Sequence, residues 1–182
     1  MIEVRWHGRG GQGAVTSVEL LAVSAIAAGK FAQGFPSFGP ERRGAPVAAF
    51  TRIDDKKINV RSGIYEPDVV LVLDSSLIGL VNVIDGLKPG GKVIVNTHKK
   101  PDEIRKDLNF NGFVATVDGT GIARKEMGVP IANTTMIGAL LKVTGIMGLD
   151  AMKESIDHRF GRIAQKNLNA MKRAFDEIKI SN

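Results

Sequence analysis

The sequence predicts an α/β fold, a mostly parallel sheet flanked by helices, and three observations carry that prediction. Ile2 to His7 alternates apolar and polar residues, runs into a glycine turn from Gly8 to Gly13, and continues into helically spaced apolar residues, a Rossmann-like strand, glycine turn and helix. Asp68 to Leu73 (DVVLVL) and Val93 to Val95 are short, nearly continuous apolar runs, as strands covered on both faces show. Phe113 to Val117 reads as another strand, and beyond it the pattern is helical, so the C-terminal third is expected to be helix. The 182 residues fit one domain, 1–182. A chain of that size buries about 70% of its unfolded surface and needs no disulfide or metal to hold a core.

In the first strand Val4 and Trp6 share one face. In the helix that follows, Val15, Val18, Leu21, Ala22, Ala25 and Ile26 recur at helical spacing from Ala14 to Ala28, and Gly29 is placed to stop it. Phe31 to Phe35 reads as a second strand broken by Pro36, and Ser37 to Pro46 carries too much Gly and Pro to be regular. Val47 to Ile53 reads as a strand, with Asp54 to Lys57 as a turn into a hairpin partner, Ile58 to Arg61. A helix is expected around Ser76 to Ile84, making a parallel crossover between the two apolar strands. Helices are also expected at Pro101 to Lys106, Gly121 to Met127, Thr134 to Thr144 behind an Asn133 cap, Ala151 to Phe160 and Arg162 to Ile178. Five of the six methionines fall at or beyond Met127, where packing is their ordinary use.

Composition excludes several function classes. With no cysteine, the chain cannot hold a cysteine-ligated iron–sulfur cluster or zinc ribbon, form a disulfide, or use a thiol nucleophile. Any redox role must borrow its electron carrier. The charge of +6 is dispersed in pairs such as Arg42-Arg43, Lys56-Lys57 and Lys99-Lys100, and aromatics are only 5%, so no stacking platform for nucleic acid is visible. Glu3 and Arg5 interrupt what would be the apolar core of a signal peptide, and no apolar run approaches the roughly 20 residues of a membrane span. A cytoplasmic protein without membrane or nucleic-acid partners is expected.

Gly8-Arg9-Gly10-Gly11-Gln12-Gly13 satisfies G-x-G-x-x-G in the context that gives it meaning, after a strand and opening a helix. Glycines there let backbone amides approach a phosphate at the positive helix end; equally, they permit a sharp turn and close packing with nothing bound. About 20 residues on, where a dinucleotide fold places a ribose-gripping acid, stand Phe31, Ala32, Gln33 and Gly34, which speaks against NAD. No Lys-Ser/Thr follows the turn, so it is not a P-loop. Phe35 to Pro46 offers Glu41, Arg42 and Arg43 in a loop stiffened by Pro and Gly, suited to a bidentate grip on phosphate or carboxylate or to a subunit contact. His7 is either a ligand contact or hydrogen-bonded structure, and Asp74 either a strand-end ligand contact or a helix cap. His98 and His158 lack metal-ligand spacing, and no acid–base–nucleophile set can be assembled.

The segments IEVRWHGRGGQGAVTSVELLA (Ile2 to Ala22), FAQGFPSFGPERRGAPVAAFTRID (Phe31 to Asp54), RSGIYEPDVVLVLD (Arg61 to Asp74) and IANTTMIGALLKVTG (Ile131 to Gly145) resemble the gamma subunit of 2-oxoacid:ferredoxin oxidoreductases, most nearly the pyruvate type. The order and spacing of HGRGGQG and ERRGAP carry the resemblance. It implies a multi-subunit enzyme that oxidatively decarboxylates a 2-oxoacid with coenzyme A to acyl-CoA, CO2 and reduced ferredoxin. It implies thiamine diphosphate, Mg2+ and [4Fe-4S] clusters on alpha, beta and delta subunits, with none held by this chain alone and ferredoxin met through the complex. It carries over Gly8, Arg9, Gly10, Gly11, Gln12 and Gly13 with Glu41, Arg42 and Arg43 as candidates to bind coenzyme A, and assigns no catalytic or metal-binding residue here. The other readings left open are a free-standing nucleotide- or phosphate-binding module and a purely architectural subunit.

Overall fold

The computed structural model describes residues 1–37 and 43–181. Seven strands, β1 (Ile2–Arg9), β2 (Phe31–Pro36), β3 (Pro46–Asp54), β4 (Val69–Val72), β5 (Lys92–Asn96), β6 (Phe113–Val117) and β7 (Lys179–Ser181), form one sheet in the order β2-β3-β1-β4-β5-β6-β7. β1, β4, β5 and β6 are mutually parallel neighbours, and β2 runs with them because it is antiparallel to β3, which is antiparallel to β1. β7 closes the far edge antiparallel to β6. The expected mostly parallel sheet is therefore present, with five of seven strands pointing one way.

The helices are α1 (Ala14–Ala27), α2 (Pro101–Leu108), α3 (Gly119–Met127), α4 (Asn133–Thr144), α5 (Lys153–Phe160) and α6 (Ala164–Glu177). The alternation of strand side chains decides which of two cores each enters. Val4, Trp6, Leu71, Ile94 and Ala115 pack under α1 and α3 to α6, with Met136, Leu140, Met152 and Met171 filling the interior. Val70, Val72, Val93, Val95 and Val114 pack on the opposite face against Leu77, Val83 and Ile104. Trp6 and Leu71 are fully buried, and each such side chain contributes about 1.5–3 kcal/mol of transfer free energy. The Trp6 indole N–H, which would be costly to bury unpaired, donates to Thr51 Oγ1 at 3.1 Å.

Four expectations are corrected. Ile58 to Arg61 is irregular, because β1 and β2 occupy both edges of β3 and leave no ladder for it to join. Ser76 to Ile84 is not a helix: a 3₁₀ turn covers Ser75–Gly79 and turns follow. There the buried Arg5 guanidinium donates to the Val83 carbonyl at 3.1 Å and also to the Asp85 carbonyl, tying the segment to β1 in its turns. Asn133 does not cap α4 but is its first residue, and Met136 N donates to Ala132 O at 2.9 Å. The last helix ends at Glu177, where Ile178 turns extended and starts β7, which the helical reading of the C-terminal third did not contain. The helices expected from Ala151 and Arg162 are each a 3₁₀ turn (Leu149–Met152, Gly161–Ile163) leading into an α-helix. Among the described residues no helix is long and apolar enough to cross a membrane.

Candidate functional site

From β1 the chain winds through α1 toward β2 on one side, whereas β4, β5 and β6 step away on the other. Open α/β sheets bind ligands outside the carboxyl ends of strands at such a reversal. The glycine turn follows β1 there, and Asp74 follows β4 beside it. Asp74 is the hub. Its Oδ2 accepts from Arg9 Nε at 3.1 Å and Gln12 Nε2 at 2.9 Å, and its Oδ1 accepts from Ser76 N at 3.0 Å and Ser76 Oγ at 2.6 Å. Burial pushes the carboxyl pKa up, but the hydrogen bonds from Ser76 and Gln12 and the Arg9 charge prevail, and the net shift is downward. Asp74 thus caps the 3₁₀ turn and braces the glycine turn at once, joining the two roles the sequence left as alternatives.

Arg9 is largely committed within the protein. Its Nη1 donates to Gly44 O at 3.0 Å and its Nη2 to Ser76 Oγ at 2.8 Å, while its backbone N–H donates to Gln12 Oε1 at 2.7 Å. The second motif joins the first through its backbone: Gly10 N donates to Ala45 O at 2.9 Å, Gly44 N donates to Gly10 O at 3.0 Å, and Gly10 and Arg43 form a parallel bridge. Two loops more than thirty residues apart are one surface, on which Arg43 is exposed. Glu41 and Arg42 lie outside the described residues.

Gly13 has φ +81°, which favours glycine, and a Cβ there would stand 2.5 Å from Asn133 Nδ2 and 3.2 Å from its Cβ, so a larger residue would force Asn133 to shift. The first residues of α4 are thereby packed against the start of α1. Between them lies a small cavity of about 90 Å³ lined by Gly11, Gln12, Leu73, Asn96, Thr120 and Asn133 among others. Asn96, at the carboxyl end of β5, donates to Leu73 O and Thr120 Oγ1, both at 2.8 Å, and accepts from Thr120 N at 3.1 Å. Sequence reasoning missed Asn96, Thr120 and Ser76. The available signal for Asn96 was its place as the polar residue ending an apolar parallel strand, the same signal that picked Asp74. A larger cavity of about 450 Å³ runs along α1 and α5, lined by Leu20, Val23, His158 and Arg159 among others, and does not touch these loops.

His7 is structural. Its Nε2 accepts from Arg5 Nε at 3.1 Å, and burial, aided by the Arg5 charge, lowers its pKa to about 4, so the ring is neutral at pH 7. Among the described residues no cluster of three or more His, Asp or Glu could hold a metal ion.

Comparison with known proteins agrees with this arrangement over nearly the whole chain. The family model described as pyruvate ferredoxin/flavodoxin oxidoreductase matches residues 3–177. The pyruvate/ketoisovalerate oxidoreductases common subunit gamma of Thermococcus kodakarensis is 53% identical over 179 residues, 97% of this chain and 97% of that one. Pyruvate synthase subunit PorC of Methanocaldococcus jannaschii is 51% identical over 179 residues, 98% of this chain and 97% of that one. The crystal structure of pyruvate oxidoreductase subunit PORC from Thermotoga maritima superposes with a TM-score of 0.89 at 41% identity, covering 100% of this chain and 98% of the other.

Proposed function

The chain belongs to the pyruvate ferredoxin/flavodoxin oxidoreductase family, and from that premise we propose that it is the gamma subunit of a cytoplasmic, multi-subunit 2-oxoacid:ferredoxin oxidoreductase whose oxoacid is pyruvate. In this reading the alpha, beta and delta subunits hold thiamine diphosphate, Mg2+ and [4Fe-4S] clusters. Those groups supply carbanion stabilisation and one-electron transfer, chemistry for which a cysteine-free chain has no cluster ligands. The contribution of this chain is to bind and orient the anionic co-substrate, coenzyme A.

The observation that carries the proposal is the braced turn. Asp74 fixes Arg9 and Gln12, and the backbone ladder from Gly10 fixes Gly44 and Ala45, so Gly11, Gly13 and Arg43 are held on one surface beside the starts of α1 and α4. The first N–H groups of each helix lack intrahelical partners and carry the positive end of its dipole. Arg9 offsets the Asp74 charge, so the brace does not repel an anion. The fit sets a limit: about 90 Å³ admits a phosphate-sized group, far below the roughly 300–1,000 Å³ of a pocket that encloses a whole organic ligand. The rest of coenzyme A would lie on other subunits.

Arg42→Ala with Arg43→Ala in the reconstituted complex tests the assignment. A charge-assisted hydrogen bond contributes about 1.5–3 kcal/mol, so the KM for coenzyme A should rise at least about tenfold while thiamine content stays unchanged. Unaltered coenzyme A kinetics in an intact assembly reject the role. The internal use of Arg9 gives a second reading, a purely architectural subunit, some support; that reading predicts loss of assembly in the same variant, with normal KM in whatever complex forms.

A further inference from the structure

The connection between β3 and β4, residues 55–68, is fourteen residues without helix or strand, at the length where an irregular segment inside a compact fold usually has a function of its own. It enters β4 at the amino ends of the parallel strands, opposite the glycine turn. The segment is pinned. Arg52, 1% exposed and ion-paired to Glu3 at 2.8 Å, donates from Nη2 to Gly63 O at 3.0 Å; Asp68 N donates to Glu3 O at 2.9 Å; Lys88 N donates to Pro67 O at 3.1 Å; and Ile64 is buried.

What this fixed backbone presents is unusual for a solvated loop. Tyr65, the only tyrosine of the chain, is 77% exposed, and its ring folds back along Gly63, where a Cβ would lie 3.6 Å from Cζ. Val60 is also exposed. Lys56, Lys57 and Arg61 are exposed and make no ion pair among the described residues, whereas Asp55 pairs with Lys30 and Asp68 with Lys88, leaving Glu66 as the unpaired acid. An exposed aromatic on a backbone already fixed, in a segment that also carries an exposed valine and unpaired cations, has the makings of an interface hot spot, because the backbone ordering cost is already met within the fold.

Building on the gamma-subunit reading, we propose that residues 56–66 are a docking surface for another subunit of the assembly, one that offers an apolar pocket to Tyr65 and an acidic rim to Lys56, Lys57 and Arg61. A second copy of this chain is the wrong occupant, since it would set the same three cations against each other. Docking at the amino ends of the strands leaves the braced glycine turn at the carboxyl ends free.

The test uses the full chain with its purified alpha, beta and delta subunits, measuring affinity by titration and assembly by native mass spectrometry. Tyr65→Ala and, separately, Lys56→Glu with Lys57→Glu and Arg61→Glu should each weaken association at least tenfold at unchanged thermal stability, since all four side chains are exposed. Added salt should weaken the wild type more than the triple variant. Arg124→Glu with Lys125→Glu and Lys166→Glu, an equal charge change on α3 and α6, should leave association within about twofold. Wild-type binding with equal affinity for the Tyr65 and triple variants, or equal weakening by the control, overturns the docking surface alone. Self-association of the wild type that depends on the same residues replaces the proposed partner with a second copy. Failure of the wild type to bind any subunit overturns the gamma-subunit reading and this inference with it.

Discussion

Replacing Asp74 with alanine removes the acceptor shared by four hydrogen bonds, two of which hold the glycine turn and two the 3₁₀ turn beyond β4. The Arg9 and Asp74 side chains are 26% and 22% exposed, so the ion pair lies between a surface pair and a buried one. A hydrogen bond to a charged group contributes about 1.5–3 kcal/mol when fully shielded and a neutral one about 1 kcal/mol; allowing for exposure, the four sum to about 3 kcal/mol. Asp74→Ala should therefore lose about 3 kcal/mol in urea denaturation at pH 7, and Asp74→Asn, which can keep acceptance from Ser76, about 1 kcal/mol. The pH dependence follows from the lowered pKa: stability from Asp74 is full above the unfolded value near 3.9 and is lost as pH falls through the folded value. The gap between wild type and Asp74→Ala should thus shrink below about pH 4. A loss under about 0.5 kcal/mol at pH 7, or a gap that persists in acid, refutes the claim that this carboxylate holds the turn.

Two further perturbations probe the same frame. Gly13→Ala should cost more than Gly29→Ala: both sit at φ +81°, about 1–2 kcal/mol of left-handed strain, but only Gly13 faces Asn133, whereas nothing lies within 4 Å of a Cβ at Gly29. Equal denaturation midpoints for the two variants would contradict the packing of α4 on the turn. His7, whose pKa falls from 6.5 to about 4, keeps its stabilising effect above pH 6.5 and loses it as pH drops toward 4, on the order of 3 kcal/mol in all. His7→Asn should flatten the stability profile across that window, and an unchanged profile would mean the ring is not held neutral by its surroundings.

The parts of the fold legible in the sequence were those governed by local period. The alternation in Ile2 to His7 and the apolar run of Asp68 to Leu73 signal which faces are covered, and the structure places them so; Phe113 to Val117 is a strand as read. What local pattern cannot carry is pairing. Val47 to Ile53 reads as a hairpin strand whichever neighbour it takes, so Ile58 to Arg61 was the natural partner in sequence while β1 and β2 are the partners in space. The turns that replace the expected helix after Asp74 have the same origin, because the side chain that ties them down, Arg5 on the Val83 and Asp85 carbonyls, lies nearly eighty residues away. At the site, the glycine pattern and Asp74 could be read from residue type and strand-end position. The union of the two loops could not, since it rests on a backbone ladder from Gly10 to Ala45 rather than on any side-chain signature. Asn96 carried the same strand-end signal as Asp74, whereas Thr120 had none, because its link to Asn96 joins residues that are separate in sequence.

The most direct measurement is pyruvate- and coenzyme A-dependent ferredoxin reduction by alpha, beta and delta subunits with and without this chain. The chain alone should give no turnover even with thiamine diphosphate and Mg2+ added, and coenzyme A-dependent turnover should be restored when it joins the other subunits. Oxoacid turnover by the chain alone, or full coenzyme A-dependent turnover in its absence, would contradict it.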